Sequence, residues 1–159
     1  SEIDFDNRTW VIPAERMKMK REHIVPLSDH VLVLLERLRP ISGHREYVFP
    51  ADRNPKTHAN AQTANMALKR MGFGGKLVSH GLRALASTIL NEQGFDPDLI
   101  EAALAHVDKN EVRRAYNRAD YLERRRPIMT WWSEHIEQAS SGAAALAVGR
   151  KGLRVVNQK

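Results

Sequence analysis

The stretch from Ser79 to Tyr116 restricts the fold most, because turn signals divide it into short helices. Apolar residues recur at helical spacing after Ser79, a good N-cap residue, and Gly94 ends that run. Asp96 followed by Pro97 is typical of a helix start, where the carboxylate caps free N–H groups and proline fits the first turn. We therefore predict three consecutive short helices here, the last of which contains Tyr116.

Three short strands are predicted near the start of the chain, over residues 1–6, 9–12 and 23–25. The second and third are rich in β-branched residues and are each followed by a proline, which cannot donate to a strand ladder. A basic hairpin tip lies between them. This tip has two interpretations. It is either a solvated turn without a function, or a hairpin that brings a lysine to a phosphate.

Further helices are predicted on both sides of the central stretch. One begins after Ser28 and should end at Pro40 and Gly43, and a final one should be kinked or interrupted at Pro127. Another is predicted over residues 60–71. The inward positions expected in that helix are Ala64, Met66, Ala67, Leu68 and Met71.

These elements predict an α+β, predominantly helical fold. A small antiparallel three-stranded sheet at the N-terminus would pack on a bundle of about six helices. We expect one domain over residues 1–138. Residues 139–159, rich in Ala, Ser and Gly, should form a flexible tail.

Composition narrows the possible settings and partners. The chain has no cysteine, which excludes disulfides and thiolate metal sites, and no apolar run of the roughly 18 residues that cross a bilayer. We expect no membrane association and a cytoplasmic location. The formal net charge of +6 favours a polyanionic partner, because each phosphate contact releases counterions.

Four side chains are candidates for binding a phosphate, and each has a simpler explanation. His80 and Arg83 share a face in the first turn of a helix, where free N–H groups and the dipole favour anions, but such a pair taken alone is more often a solvated surface pair without a ligand. His106 near a helix end fits a dipole interaction. Tyr116 has apolar neighbours at helical spacing, so it fits an inner face.

Their order along the chain changes this assessment. Lys18 in a hairpin, His80-x-x-Arg83, His106 in LAHVD and then Tyr116 resemble the catalytic domain of the tyrosine recombinases, also called phage integrases. Several sequence segments are similar to those of integrases of temperate phages and genomic islands. The segments that carry the resemblance are SEIDF, ERMKMKREHIVPLS, SHGLRALAST and LAHVDKNEVRRAYNRADYLERRRPIMTWW, within Ser1 to Trp132.

The resemblance implies the fold of DNA breaking-rejoining enzymes and a role for each candidate. Tyr116 would attack a DNA phosphodiester, and Arg83 would neutralise the nonbridging oxygens. His80 would act as acid/base or hydrogen-bond donor and His106 as a donor. Lys18, with Lys20 as the fallback, would protonate the leaving 5′ oxygen.

The resemblance also implies the partners, namely double-stranded DNA attachment sites and a homotetramer on DNA. Cationic side chains would replace a metal, so no cofactor and no metal are expected. The residues expected to contact the DNA backbone are Lys20, Arg21, Arg113, Arg114 and Arg118.

One departure from the family pattern concerns a second arginine, carried in the family by a helix that would precede Ser1. Arg8 lies after the first strand and cannot be assumed to replace it. We therefore expect this chain to lack the first helix or helices and to be deficient in recombination by itself. The alternatives are a non-catalytic basic DNA-binding module and an enzyme like a type IB topoisomerase; a metal-dependent nuclease is disfavoured, because the acids near Pro97 look like helix caps.

Overall fold

A computed structural model describes residues 2–106 and 118–141, without side chains for 118–120. It divides into two compact units. The described parts of residues 1–28 and 87–159 form what we call the sheet unit, and residues 29–86 form the helical unit. No helix among the described residues is long and apolar enough to cross a membrane.

The elements confirm an α+β, mostly helical architecture with a three-stranded antiparallel sheet. The strands β1, β2 and β3 are Ile3–Asp4, Thr9–Ile12 and His23–Pro26, in that spatial order. The described ranges contain five α-helices, so the predicted number of about six is not confirmed. They are α1 Asp29–Ser42, α2 Thr63–Leu68, α3 Ser79–Glu92, α4 Pro97–Ala103 and α5 Arg118–Ser140.

Helix α1 contains Pro40 and ends at Ser42, directly before Gly43, close to the predicted end. Helix α5 runs through Pro127, so the interruption predicted there was wrong. Both prolines lie on exposed faces, so the ring meets solvent, and water can serve the carbonyl four residues earlier that loses its N–H partner. In both helices the residues before and after the proline are helical.

The helix predicted over residues 60–71 is shorter than expected. Helix α2 begins at Thr63, and from Lys69 to Phe73 the chain forms a π-helical turn in which Gly72 has a φ of 90°. Met66 and Met71, expected to face inward, are 49% and 69% exposed. Ala64 is exposed as well, whereas Ala67 and Leu68 are half-buried.

The core of the sheet unit lies between α3, α4 and α5. Its buried members are Leu90, Leu99, Ile100 and Ile128, with Ile100 fully buried. Burying each such side chain stabilises the fold by about 1.5–3 kcal/mol. Aromatic rings surround this cluster, and Phe95 meets Trp131 edge to face with the ring centroids 5.3 Å apart.

Helix α3 ends at Gly94, as the sequence predicted, and its end forms a Schellman motif. The N–H of Phe95 donates to the Leu90 carbonyl at 3.2 Å and that of Gly94 donates to Asn91 at 3.0 Å. Gly94 has a φ of 75°, which glycine adopts without a steric penalty. The motif brings the side chains of Leu90 and Phe95 together in the core.

A buried arginine joins three elements of the sheet unit. Arg125 of α5 is 6% exposed and donates to three backbone carbonyls. Nε bonds Tyr121 at 3.0 Å, Nη1 bonds Ala102 of α4 at 3.4 Å and Nη2 bonds Ile24 of β3 at 2.8 Å. Burial lowers the pKa of this guanidinium.

The Ile24 carbonyl is available to Arg125 because of the strand register. Leu27 N–H donates to the Arg8 carbonyl at 2.9 Å, and Ile24 lies opposite Val11. Hydrogen-bonded and non-hydrogen-bonded pairs alternate in an antiparallel ladder, so the polar groups of Ile24 point away from β2. Arg125 therefore satisfies a carbonyl on the edge of the sheet.

The two neighbouring arginines reach other elements. Arg124 pairs with Asp96, the N-cap residue of α4, at 3.0 Å. Arg126 donates to the carbonyls of Asn7 and Arg8 at 3.1 and 3.3 Å. Three consecutive side chains thus connect α5 to the start of α4, to the sheet edge and to the β1–β2 turn.

Glu2 anchors the other side of the sheet. Its carboxylate accepts the indole N–H of Trp10 at 3.1 Å and pairs with Arg16 Nη1 at 2.6 Å. The Trp10 bond, with the bond and charge of Arg16, lowers the pKa of Glu2, while partial desolvation acts in the opposite direction.

We expect Arg125→Ala to lower the free energy of unfolding by about 2–4 kcal/mol, because it removes three bonds from a charged donor, including the one that satisfies the Ile24 carbonyl at the sheet edge. Arg124→Ala is the matched control. It removes an exposed pair and should cost less than about 1 kcal/mol. Urea unfolding of both variants measures this. Equal losses would contradict the anchoring role of Arg125.

We expect Glu2→Gln to reduce the pH dependence of stability in acid. A lowered pKa means that Glu2 stabilises the fold above the ordinary glutamate pKa, about 4.3, and that this stabilisation is lost as the pH falls through the lower folded-state value. Unfolding free energies measured between about pH 6 and 3 test this. Trp10→Phe, which removes the donor, should flatten the curve as well; an unchanged curve in that variant would contradict the assigned cause.

Candidate active site

His80 and Arg83 lie in the first turns of α3, within the helical unit. The helix starts at Ser79, whose N–H is bound by the Asn65 Oδ1 of α2 at 2.8 Å. His80 is exposed and Arg83 is half-buried. Three residues apart, they share one face of α3, as the sequence predicted.

The basic hairpin is more structured than a solvated turn. Between β2 and β3, a 3₁₀ helix over Ala14–Arg16 leads into a turn closed by the Lys20 N–H, which donates to the Met17 carbonyl at 2.9 Å. Arg16 is bound by Glu2, as described above. Lys18 is exposed at the tip of the turn.

Lys20 and Arg21 are also exposed, as backbone contacts with DNA would require. Lys20 has a φ of 51°, a left-handed conformation that costs a non-glycine residue about 1–2 kcal/mol. Since Lys18 and Lys20 are both exposed, burial does not distinguish the preferred general acid from its fallback.

His106 follows the end of α4, in a second Schellman motif. Its N–H donates to the Glu101 carbonyl at 2.9 Å, and the Ala105 N–H donates to Ala102 at 3.2 Å. Ala105 takes the left-handed position with a φ of 53°, where α3 has glycine. The motif fixes where His106 leaves the helix.

The imidazole of His106 is held by Glu101, one of the acids near Pro97 that the sequence analysis interpreted as helix caps. Its Nδ1 lies 2.5 Å from Glu101 Oε2, and the two side chains are 47% and 52% exposed. The signal was present in the spacing: Glu101 and His106 occupy the two Schellman positions whose side chains come together.

Arg125 was also not distinguished from its neighbours in ERRRP, residues 123–127, in the sequence analysis. It stands four residues after Tyr121 and three before Ile128, both of which belong to the core region. That helical spacing selects Arg125 as the inward member of the run. It also connects α4, which leads to His106, with β3, which follows the Lys18 hairpin.

The remaining predicted residues lie outside the described side chains. Tyr116, Arg113 and Arg114 fall between the described ranges, and Arg118 begins α5 without a described side chain. His80 and Arg83 belong to one unit, and Lys18 and His106 to the other. Their convergence on one phosphate therefore stays a prediction.

No group of three or more His, Cys, Asp or Glu side chains in the described ranges is arranged to hold a metal ion. The cations found at the predicted positions can hydrogen-bond and neutralise a phosphate. Arginine offers a planar fork of donors and lysine a compact ammonium. Each of these side chains is thus of a type that can bind an oxyanion.

Comparisons with known proteins agree in their assignment. The prophage integrase IntA of Escherichia coli strain K12 is 63% identical over 145 residues, which are 91% of this chain and 35% of that protein. The integrase of Enterobacteria phage P4 is 36% identical over 173 residues, 99% of this chain and 39% of that protein. The integrase of Shigella phage Sf6 is 40% identical over 141 residues, 86% and 36% respectively.

The chain spans about a third of the length of these curated relatives. No solved structure matches it. The model of the phage integrase family matches residues 1–123, which include each of the candidate catalytic positions from Lys18 to Tyr116. On the family match and on the identity with these integrases, the chain belongs to the phage integrase family.

Proposed function

We propose that this chain supplies the catalytic domain of a tyrosine-type site-specific DNA recombinase, acting on double-stranded attachment sites in integration and excision. The observation that carries the proposal is the family match over residues 1–123, which contains the whole ordered set of candidate residues. The exposed His80 and half-buried Arg83, one helix turn apart on α3, agree with it. The net charge of +6 suits a DNA partner.

The reaction proposed for Tyr116 is a transesterification. The phenolic oxygen attacks the phosphorus of a DNA phosphodiester, the bond to the 5′ oxygen breaks, and a 3′-phosphotyrosyl link and a 5′ hydroxyl result. The link conserves the bond energy, so rejoining needs no ATP. A phenol with a pKa near 10 is a better leaving group than an alcohol, which suits the reverse step.

Arg83, with a hydrogen bond from His106, would stabilise the negative charge on the nonbridging oxygens, an effect worth several kcal/mol. His80 would accept the phenolic proton of Tyr116 as a base, or donate a hydrogen bond to the phosphate. Lys18 would give its proton to the leaving 5′ oxygen, with Lys20 in its place if the hairpin register differs. Backbone contacts are assigned to Lys20, Arg21, Arg113, Arg114 and Arg118.

The wider architecture is part of the same proposal. Residues 1–138 would form the catalytic domain of DNA breaking-rejoining enzymes, with the sheet on a bundle of about six helices and residues 139–159 as a flexible tail. The intact protein would act in the bacterial cytoplasm as a homotetramer on its DNA. Stepwise assembly on attachment-site DNA, followed by native mass spectrometry, would test the tetramer.

We expect Tyr116→Phe in the complete gene product to abolish the covalent DNA–protein product and to leave DNA binding unchanged, because only the hydroxyl is lost. A nicked attachment-site duplex traps the product. The short strand that carries the new 5′ hydroxyl dissociates after cleavage, so rejoining cannot occur. Denaturing electrophoresis measures the product and gel shift measures binding. Tyr121→Phe is the matched control and should retain the product.

The outcomes also separate the alternative functions. DNA binding without a covalent product in the unsubstituted protein would favour a non-catalytic DNA-binding module. A covalent product with relaxation of supercoils but no exchange between two sites would favour a type IB topoisomerase. Loss of cleavage in EDTA would contradict the metal-independent mechanism.

The chain by itself should be deficient in cleavage, because no arginine of residues 1–159 is matched to the family's other arginine. We expect it to bind DNA but to form covalent product at least about 100-fold more slowly than the complete gene product, a loss typical of removing one transition-state donor. Both proteins are compared on the same nicked duplex. Equal rates would contradict the expectation.

A further inference from the structure

The Glu101–His106 pair differs from an ordinary surface ion pair in how it is built. In a Schellman motif, the side chains three residues before the helix end and two after it come together. At the end of α3 these side chains are Leu90 and Phe95, and both pack into the core. At the end of α4 they are Glu101 and His106, held at 2.5 Å and open to solvent.

We propose that Glu101 is a positioning residue for His106 in the recombinase reaction. This inference rests on the proposed function. It assigns to Glu101 the task of holding the imidazole by Nδ1, so that Nε2 is the nitrogen that meets the DNA phosphate.

The hydrogen-bond chemistry determines which nitrogen carries the proton. An ionised carboxylate only accepts, so Nδ1 must be the donor in this pair. In the neutral ring, Nε2 then carries the lone pair; in the imidazolium, both nitrogens donate. In the imidazolium, Nε2 can therefore donate to a phosphate oxygen while Nδ1 stays on Glu101.

The backbone makes this arrangement stiff. The N–H of His106 donates to the carbonyl of the same Glu101, and Ala105 N–H donates to Ala102. Arg125 holds that Ala102 carbonyl a second time, from α5. Backbone and side chain therefore fix His106 relative to α4, and Arg125 of α5 supports the same turn.

The tautomer of His106 is the first test, and it is made on this chain by imidazole ¹⁵N NMR. We expect the neutral ring to carry its proton on Nδ1. Glu101→Ala should shift the population to the Nε2–H tautomer, while Glu134→Ala, which removes an exposed glutamate of α5, should leave it unchanged. The same tautomer in Glu101→Ala as in the unsubstituted chain would overturn the proposal.

Cleavage of the nicked duplex by the complete gene product is the second test. Glu101→Ala should slow covalent product formation about tenfold, a loss at the lower end of those seen when a group that orients a ligand is removed. Glu101→Gln should lose less, because its amide oxygen still accepts from Nδ1. Glu134→Ala should cleave at the unsubstituted rate.

A double-mutant cycle distinguishes positioning from a separate structural effect. If Glu101 acts through His106, then His106→Ala and Glu101→Ala/His106→Ala should cleave at the same rate. Additive losses would overturn the assignment. Normal cleavage by Glu101→Ala would overturn it while leaving the proposed function intact, whereas no covalent product from the unsubstituted protein would overturn the proposed function and this role together.

Discussion

The three hydrogen bonds of the Arg125 guanidinium hold the sheet unit in its arrangement. Packing of Ile100 against Ile128 is non-directional, so it brings α4 and α5 together without fixing their register. The bonds from Arg125 to Ala102 and Ile24 fix that register, because a planar fork of donors meets its carbonyls in only one orientation. Burying the charge is costly, which the lowered pKa of Arg125 reflects, and the carbonyl dipoles offset that cost. The Lys18 hairpin, which precedes β3, and the His106 turn, which follows α4, therefore both depend on the Arg125 bonds.

The two Schellman motifs show how one backbone device serves packing in one place and chemistry in another. After α3, a glycine at the left-handed position and an apolar pair turn the chain into the core. After α4, the same backbone bonds present a carboxylate and an imidazole to solvent, with Ala105 in the position that favours glycine. The strain at Ala105, of the order of 1 kcal/mol, persists because the bonds on both sides of it determine the conformation.

Local signals in the sequence predicted most of this fold and part of the site. The strands, the cap at Asp96 and the stop at Gly94 each depend on a few neighbouring residues, so the sequence alone was sufficient for them. The interruption predicted at Pro127 was wrong because the penalty of a proline depends on whether its face of the helix is buried. The helix that carries His80 and Arg83 was predicted, yet the partners of Arg125 were not, since Ile24 lies 101 residues away. The contact between Glu101 and His106 follows from their spacing, because a Schellman motif brings together side chains five residues apart at a helix end.

Arg124, Arg125 and Arg126 are the same residue type with the same charge, so composition and net charge cannot distinguish them. A rotation of about 100° per residue along α5 gives them three separate directions. They reach the cap of α4, the sheet edge and the β1–β2 turn. One helical turn thus works as a junction of the sheet unit. Inserting or deleting a single residue just before it would leave the net charge and helix propensity almost unchanged and yet redirect all three connections.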